Sequence, residues 1–268
     1  MNTDMTVTRE SLNDLKSHHS NPDLHLDWDL IFTLPEWLKV WWQNFGSEAE
    51  LFILAVRKKG EIIGLAPLQI RNGKASFIGS VDVCDYQDCI VSPGKEIDFF
   101  KAVIDYLLQN GIGQMHLETI RPDSATATYL KPLAEERKYQ IEYRRSDISL
   151  DIDLPLTWEE YLNSLERKQR HELRRKLRNI LDLGDINYQT IEKKNEIPQA
   201  VDTFLKLFPE SRQDKAQFMT PEMQVFFRSL ATSLTEIGIL KFGVLTTAGK
   251  PIAMIMYFDY NKDHYKFV

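Results

Sequence analysis

Two periods of apolar residues alternate along this chain and predict a mixed α/β architecture. Segments with helical spacing mostly begin at Pro or end at Gly, and the segments between them contain short apolar runs that are typical of strands. In the first half the predicted helices cover residues 35–46, 95–111 and 124–137, and the predicted strands cover 51–57, 61–70, 75–79, 115–120, 139–143 and 147–152.

The second half begins with a well-marked helix and ends in a hairpin. Thr157 is followed three residues later by Glu160, which is a capping box, and the helix that it starts is predicted to stop near Gly184. The elements that follow are a strand at 186–191, helices at 196–208 and 220–238, and a hairpin at 240–259. This hairpin overlies the pair of strands at 51–70 with an offset of 189 residues, which predicts an internal duplication.

The order of the elements predicts three segments. These are a polar N-terminal leader at 1–26, a first domain at 27–153 and a second domain at 154–268. The last predicted strand reaches the end of the sequence without a stop signal, so we expect the second domain to be incomplete. A shortened sequence and a naturally reduced protein both stay open as explanations.

Composition restricts the class of protein. The 268 residues, 43% of them apolar, are enough for two domains with a substantial core. No run approaches the roughly 18 apolar residues of a membrane span, and the start is unlike a signal peptide, so we predict a cytoplasmic protein. Cys84 and Cys89 are the only cysteines and have no nearby His, which predicts no metal site. The acidic pI near 5.6 argues against a protein that coats DNA.

A local cluster of cations stands out from this acidic background. Residues 165–180 contain seven Lys or Arg and only two Glu. On a helix, one face would carry Leu165, Leu173, Leu177 and Ile180, and a separate stripe would carry Arg167, Arg170, Arg174 and Arg178. We expect the apolar face to be buried and the Arg stripe to face an anionic ligand, because Arg suits fork-like contact with phosphate or carboxylate. A solvated helix face is the alternative.

Three separated segments carry a family resemblance. They are FIGSVDVCDYQDCIVSPG, SLERKQRHELRRKLRNI and SRQDKAQFMTPEMQVFFRSLA. Together they resemble the CelD-like acyltransferases of the GNAT superfamily, which are relatives of the Fem-type enzymes that add amino acids to peptidoglycan precursors. The resemblance implies tandem GNAT-like domains, each a mixed twisted sheet flanked by helices. It also implies transfer of an acyl group from acetyl-CoA, another acyl-CoA or aminoacyl-tRNA to an amine or hydroxyl, with a cell-envelope glycan as the usual suggestion for the acceptor.

The same resemblance implies where substrates bind. The implied substrate-binding residues are Lys168, Arg170, Arg174, Arg175, Ser211, Arg212 and Lys215. In the loop at 80–94, Asp85 and Asp88 flank Tyr86, and these three residues are candidates to orient the acceptor or to accept its proton. Turn capping is the alternative role for such Asp residues.

The sequence lacks the feature by which this hypothesis would explain binding of the acyl donor. GNAT folds usually hold the pyrophosphate of the donor on a Gly-rich turn at a helix N-terminus. That turn is missing, and the equivalent loop at 80–94 carries three Asp residues that would repel a pyrophosphate. We therefore expect weak binding of coenzyme A or none. The alternative function is a non-catalytic module that binds anions, RNA or a glycan, and tRNA is a possible partner under either hypothesis.

Overall fold

The computed structural model describes residues 4–145, 148, 152, 154–182, 184–261 and 263–267. The chain divides into two compact units, Met1–Ser146 and Asp147–Val268. Each unit contains one β-sheet with helices packed on it, which confirms the α/β class predicted from the sequence.

Unit 1 is built on a mixed sheet with helical elements. Its strands are β1 (Met5–Glu10), β2 (Glu50–Lys58), β3 (Glu61–Arg71), β4 (Lys74–Phe77), β5 (Ile90–Val91) and β6 (Gln114–Met115). Its helices are α1 (Leu12–His19), α2 (Pro35–Phe45), α3 (Glu96–Gln109) and α4 (Lys131–Glu136), and a π-helical turn at Thr126–Leu130 leads into α4. The sheet order is β1-β2-β3-β4-β6, with β5 paired to β3. Among the strands described for this unit, only β4 and β6 pair in parallel.

The core of unit 1 forms where α3 packs on the central strands. Phe99, Phe100 and Val103 of α3 are almost completely buried against apolar residues of β2 and β3. Gly64 permits this packing, because a Cβ atom at that position would lie 2.5 Å from the Phe99 ring. The position of α3 on the sheet therefore depends on a glycine in β3.

Unit 2 has an antiparallel sheet of four strands. Its helices are α5 (Trp158–Ser164), α6 (Arg167–Leu181), α7 (Ile197–Ser211), α8 (Gln213–Phe218) and α9 (Pro221–Glu236). Its strands are β7 (Ile186–Ile191), β8 (Leu240–Thr247), β9 (Lys250–Tyr260) and β10 (Asp263–Phe267), in the order β10-β9-β8-β7. Phe204 of α7 is the centre of an aromatic core, with ring centroids 6.3 Å from Phe227 and 5.8 Å from Phe242.

The predicted hairpins exist in both units and share their irregularities. Each turn has two residues with positive φ, Lys59–Gly60 in the first hairpin and Ala248–Gly249 in the second. Each pairing also shifts register once, at Val56/Arg57 and at Leu245/Thr246. All of these positions differ by 189 residues, so the correspondence predicted from the sequence is confirmed for the hairpins.

The predicted leader contributes to unit 1 instead of preceding it. Strand β1 lies within it and pairs antiparallel with β2, with Met5 opposite Lys58. Strand β7 pairs with β8 in the equivalent register, with Ile186 opposite Thr247. Strand β1 could not be predicted from the sequence because this edge strand has only two apolar residues, Met5 and Val7. The similarity between the units therefore extends to a third strand.

Other elements differ from the prediction. The stretch 139–143 forms no strand, the predicted strand at 115–120 is reduced to β6, and the predicted strand at 147–152 falls largely outside the described residues. The single helix predicted after Thr157 is two helices, α5 and α6. The break occurs because Glu166 and Gln169 form a second capping box, in which the Glu166 N–H donates to Gln169 Oε1 at 3.2 Å.

Candidate functional site

Two parallel strands of unit 1 separate soon after they meet. Strands β4 and β6 pair through only two residues each, and the last bond joins the His116 N–H to the Ala75 carbonyl at 2.8 Å. Beyond this point Gln87 connects the two segments that continue from β4 and β6. Its backbone N–H donates to the Thr119 carbonyl and its side-chain amide donates to the Ile78 carbonyl, both at 3.0 Å. The Gln87 side chain therefore fills the space between the two separating segments.

A glycine makes room for this bridge. Gly79 has φ +149°, and a Cβ atom there would lie 2.2 Å from Gln87 Nε2 and 3.0 Å from Cys84 Sγ. The Thr119 hydroxyl also donates to Gln87 Oε1 at 3.3 Å, and Gln87 is only 6% exposed. The arrangement of Gln87 is therefore determined on every polar atom of its side chain.

Asp88 caps the helical segment that begins near residue 125. Its carboxylate accepts bonds from the backbone N–H groups of Cys89 at 2.9 Å, Ala125 at 2.7 Å and Thr126 at 3.0 Å, and from the Thr126 hydroxyl. Burial raises the pKa of Asp88, and the donated bonds oppose that shift. The contacts favour the turn-capping alternative, while the catalytic role of Asp88 stays a prediction.

An acidic cleft opens beside this cap. Its volume is about 230 Å³, and its lining includes Asp27, Asp29, Asp88, Glu96, Arg121, Asp123, Thr33 and Ser124. Five carboxyl groups face one guanidinium, so the cleft attracts cations. In the described parts of the chain, no group of three or more His, Cys, Asp or Glu is arranged to hold a metal ion.

Asp27 has the most unusual carboxyl group of the cleft. Partial burial, followed by the hydrogen bond and charge of Asp29, raises the pKa of Asp27 to about 6. The charge of Asp88 acts in the same direction. A carboxylate with this pKa is ionised at neutral pH and is a stronger base than an ordinary Asp.

Arg121 connects the cleft to the candidate residue Tyr86. Its guanidinium donates to Asp123 through Nε at 3.0 Å and Nη2 at 2.9 Å. It also lies 5.2 Å from the centre of the Tyr86 ring, which meets Phe32 edge-on at 6.1 Å. Tyr86 is half-buried, whereas Asp85 is exposed and does not line the cleft. Of the three catalytic candidates, Asp88 lines the cleft and Tyr86 contacts its Arg.

The start of α3 does not fit the pyrophosphate of an acyl donor. Glu96 occupies the first turn, and its carboxylate accepts a bond from the Gly94 N–H at 3.0 Å. Asp98 adds a second carboxylate to this turn. Amides that already bind a carboxylate of the chain, next to further negative charge, disfavour a phosphate. The Gln87 bridge likewise occupies the space between the segments that follow β4 and β6, so neither of these two positions favours the donor.

In unit 2, the expectation that the apolar face of the basic helix is buried is wrong. Helix α6 contains no buried residue. The Arg170 guanidinium folds back and donates to the carbonyls of Leu165 at 2.9 Å and Asn163 at 3.3 Å, at the end of α5. The other three predicted residues on α6 are exposed: Lys168, Arg174, which pairs with Glu159 at 3.6 Å, and Arg175, which pairs with Glu172 at 2.7 Å.

The predicted residues after α7 make local contacts. The Ser211 hydroxyl donates to the Phe208 carbonyl at 2.7 Å, and Lys215 Nζ lies 4.8 Å from the centre of the Phe208 ring. Arg212 forms a two-bond contact with Asp214, at 2.9 and 2.8 Å. The role of these three residues in substrate binding stays a prediction.

The sequence reasoning missed most of the cleft. The charged lining residues that it did not select are Asp27, Asp29, Glu96, Arg121 and Asp123, and outside the cleft lining it also missed the bridging Gln87. A usable signal was the Arg-Pro-Asp triplet at 121–123 directly after a predicted strand, since polar residues at strand ends often line sites. Nothing in the sequence joined that triplet to residues 27–29, because they lie about ninety positions apart.

Comparison with known proteins finds one matching sequence family and two similar solved structures. Residues 167–266 match the sequence family described as an acetyltransferase (GNAT) domain. Among solved structures, the chain is similar to "Crystal structure of FemX", with 15% identity and a TM-score of 0.52 over 90% of this chain and 58% of that one. It also matches "Tandem GNAT protein from the clavulanic acid biosynthesis pathway (without AcCoA)", with 13% identity and a TM-score of 0.38 over 94% of this chain and 74% of that one. No curated protein sequence matches the chain significantly.

Residues 167–266 therefore match a GNAT-type domain, and the chain is similar in fold to FemX. The match of residues 167–266 agrees with the predicted resemblance to the GNAT superfamily. The chain spans 58% of the length of FemX. Among the described residues, no helix is long and apolar enough to cross a membrane.

Proposed function

We propose that this protein is a GNAT-type acyltransferase that transfers an acyl group to an amine, and that the acidic cleft of unit 1 binds that amine. The observation that carries the proposal is the cleft itself, in which Asp27, with a pKa of about 6, lies beside Asp29. The GNAT match of residues 167–266 supports the reaction class.

The charges of the cleft suit the first step of such a transfer. An alkyl amine arrives as an ammonium ion, and the carboxylates of Asp29, Asp123 and Glu96 attract it. The ammonium must lose a proton before its nitrogen can attack an acyl carbonyl. Asp27 is the carboxylate whose pKa is closest to neutrality, so we assign to it the acceptance of that proton. A hydroxyl acceptor would gain less from the cleft because it carries no positive charge.

The proposal also covers the chemical nature of the acceptor, the acyl donor and the cellular compartment. We also propose that the molecule that carries the amine is anionic and related to the cell envelope, which rests on the family resemblance alone. The proposed donors are acetyl-CoA, another acyl-CoA and aminoacyl-tRNA. Because the start of α3 does not fit a pyrophosphate, we do not assign donor binding to unit 1. We also retain the cytoplasm as the proposed compartment.

The test is amine-dependent release of the donor's leaving group. The full chain is incubated with acetyl-CoA and a primary amine such as cadaverine, and the free thiol is titrated; parallel reactions replace the amine by an alcohol or acetyl-CoA by aminoacyl-tRNA. We expect acylated amine, identified by mass spectrometry, and less product from the alcohol. Asp27→Asn should lower the yield of acylated amine. Asp82→Asn is its matched control because Asp82 is exposed in the neighbouring loop and does not line the cleft.

A second function is favoured by two contacts in unit 1. The bridge formed by Gln87 and the carboxylate of Glu96 close both places where unit 1 would hold a donor. This supports the alternative of a non-catalytic module that binds anions, RNA or a glycan. If no donor gives product while the chain binds poly(U) or an anionic glycan in calorimetry, the module is favoured over the enzyme. If neither occurs, both functions are wrong.

A further inference from the structure

Helix α6 concentrates positive charge on an exposed surface. Its fifteen residues include seven Lys or Arg and one Glu, a net charge of +6, in a chain whose total charge is −6. The rest of the chain therefore carries a net charge of −12. An anionic partner would be attracted to α6 and repelled by the rest of the protein, so this distribution favours one orientation.

The apolar and cationic side chains of α6 lie on adjacent faces. At about 100° per residue, one arc of about 100° contains Leu173, Leu177, Ile180 and Leu181. The neighbouring arc contains Arg174, Arg167 and Arg178. Leu177 is 41% exposed and Leu181 is 58% exposed, whereas Leu173 and Ile180 are half-buried. A solvated charged helix does not require such an arc, and a core helix would bury it.

Arg170 is predicted from the sequence on the separate Arg stripe, but its position on α6 lies within the apolar arc. Its side chain nevertheless does not interrupt that arc. Its guanidinium is withdrawn to the carbonyls of Asn163 and Leu165 at the N-terminal end of the helix. Arg174 forms an exposed ion pair with Glu159 of α5 at 3.6 Å, and such a pair contributes little to stability. The chain around the start of α5 adds further exposed apolar groups, because Trp158 is 49% exposed and Leu156 is 99% exposed.

We propose that α6 binds the surface of an anionic phospholipid bilayer, with its apolar arc among the upper acyl chains and its cationic arc on the headgroup phosphates. Such a helix lies in the interface and does not span the membrane, and it gains from apolar burial and from charge together. A nucleic acid would engage the cations and leave the leucines in water. Binding to the bilayer requires no acyl transfer and is independent of the proposed function.

The test is sedimentation of the full chain with large unilamellar vesicles. One set contains phosphatidylcholine alone, and the other contains phosphatidylcholine with phosphatidylglycerol. The apolar variant is Leu177→Ser with Leu181→Ser, and the cationic variant is Arg167→Glu with Arg178→Glu. The control, Lys206→Glu with Lys250→Glu, makes the same change in charge at exposed positions outside α6. Circular dichroism verifies that each variant is folded.

We expect binding to the anionic vesicles, at least tenfold weaker binding for both α6 variants, and no comparable loss for the control. Binding that the leucine substitutions leave unchanged overturns the proposal, as does equal binding to neutral vesicles. Gel-shift measurements with poly(U) distinguish the other class of partner. Binding to poly(U) without binding to vesicles, lost only in the cationic variant, would assign α6 to RNA instead.

Discussion

Replacing Asp88 by Asn separates a structural role of this carboxylate from a catalytic one. The substitution keeps the size of the side chain, so it leaves no cavity. It removes the negative charge, however, and places an NH₂ group, which is a donor, next to N–H and O–H groups that are also donors. Asp88 accepts bonds from the N–H groups of Cys89, Ala125 and Thr126 and from the Thr126 hydroxyl. Asn can accept with its single carbonyl oxygen, so part of this set loses its acceptor.

The size of the effect follows from these contacts. A hydrogen bond to a charged group contributes about 1.5–3 kcal/mol, and a buried donor without an acceptor costs about 1–3 kcal/mol. Since Asn preserves some of the bonds, we expect Asp88→Asn to lower the free energy of unfolding by about 2–4 kcal/mol. Asp82→Asn should change it by less than about 0.5 kcal/mol, because Asp82 is exposed.

Urea unfolding followed by Trp fluorescence measures this change in unit 1. Four of the five Trp residues belong to that unit: Trp28, Trp37, Trp41 and Trp42. If Asp88→Asn unfolds at the same urea concentration as the unmodified protein, the cap is not a stabilising element. If acyl transfer is then lost without a loss of stability, the catalytic role predicted from the sequence holds.

Three further changes test other parts of the structure. Gly64→Ala places a Cβ atom 2.5 Å from the Phe99 ring and should destabilise by about 1–3 kcal/mol in urea, whereas Gly113→Ala, with open space around it, should not. The pKa of Asp27 is raised to about 6 in the folded protein, so the free energy of unfolding should fall as pH rises from about 4 to about 6. Asp27→Asn should remove that fall in thermal melts. An unchanged pH profile in this variant would contradict the raised pKa of Asp27. Arg170→Ala removes the bonds to the end of α5 and should cost about 1–2 kcal/mol, while an equal loss for exposed Arg174→Ala would refute this capping role.

The hairpins were predictable because their signals are local. Continuous apolar runs flank Lys59–Gly60 and Ala248–Gly249, and each turn requires residues that tolerate positive φ. Helix starts were equally readable from caps, as at Thr157 and Pro221. Such signals lie within a few residues of the feature that they determine.

The cleft could not be predicted because its residues are distant in sequence. Segments 27–29, 88–96 and 121–125 meet only when the sheet and α3 have formed, and isolated Asp residues also occur in ordinary turns. Helix α6 shows a different limit. Periodicity predicted its apolar face, but burial of a face depends on the neighbouring elements, and α6 has no buried residue.

The most direct test of the central claim is the dependence of acyl transfer on amine concentration in the unmodified protein, in Asp29→Asn and in the control Asp82→Asn. The account predicts that Asp29→Asn raises the KM for cadaverine about tenfold, the equivalent of about 1.4 kcal/mol, because the lost carboxylate attracts the ammonium group. The KM for the acyl donor that gives product should be unchanged. An unchanged KM for the amine, or an equal rise in Asp82→Asn, would contradict the assignment of the acidic cleft as the acceptor site.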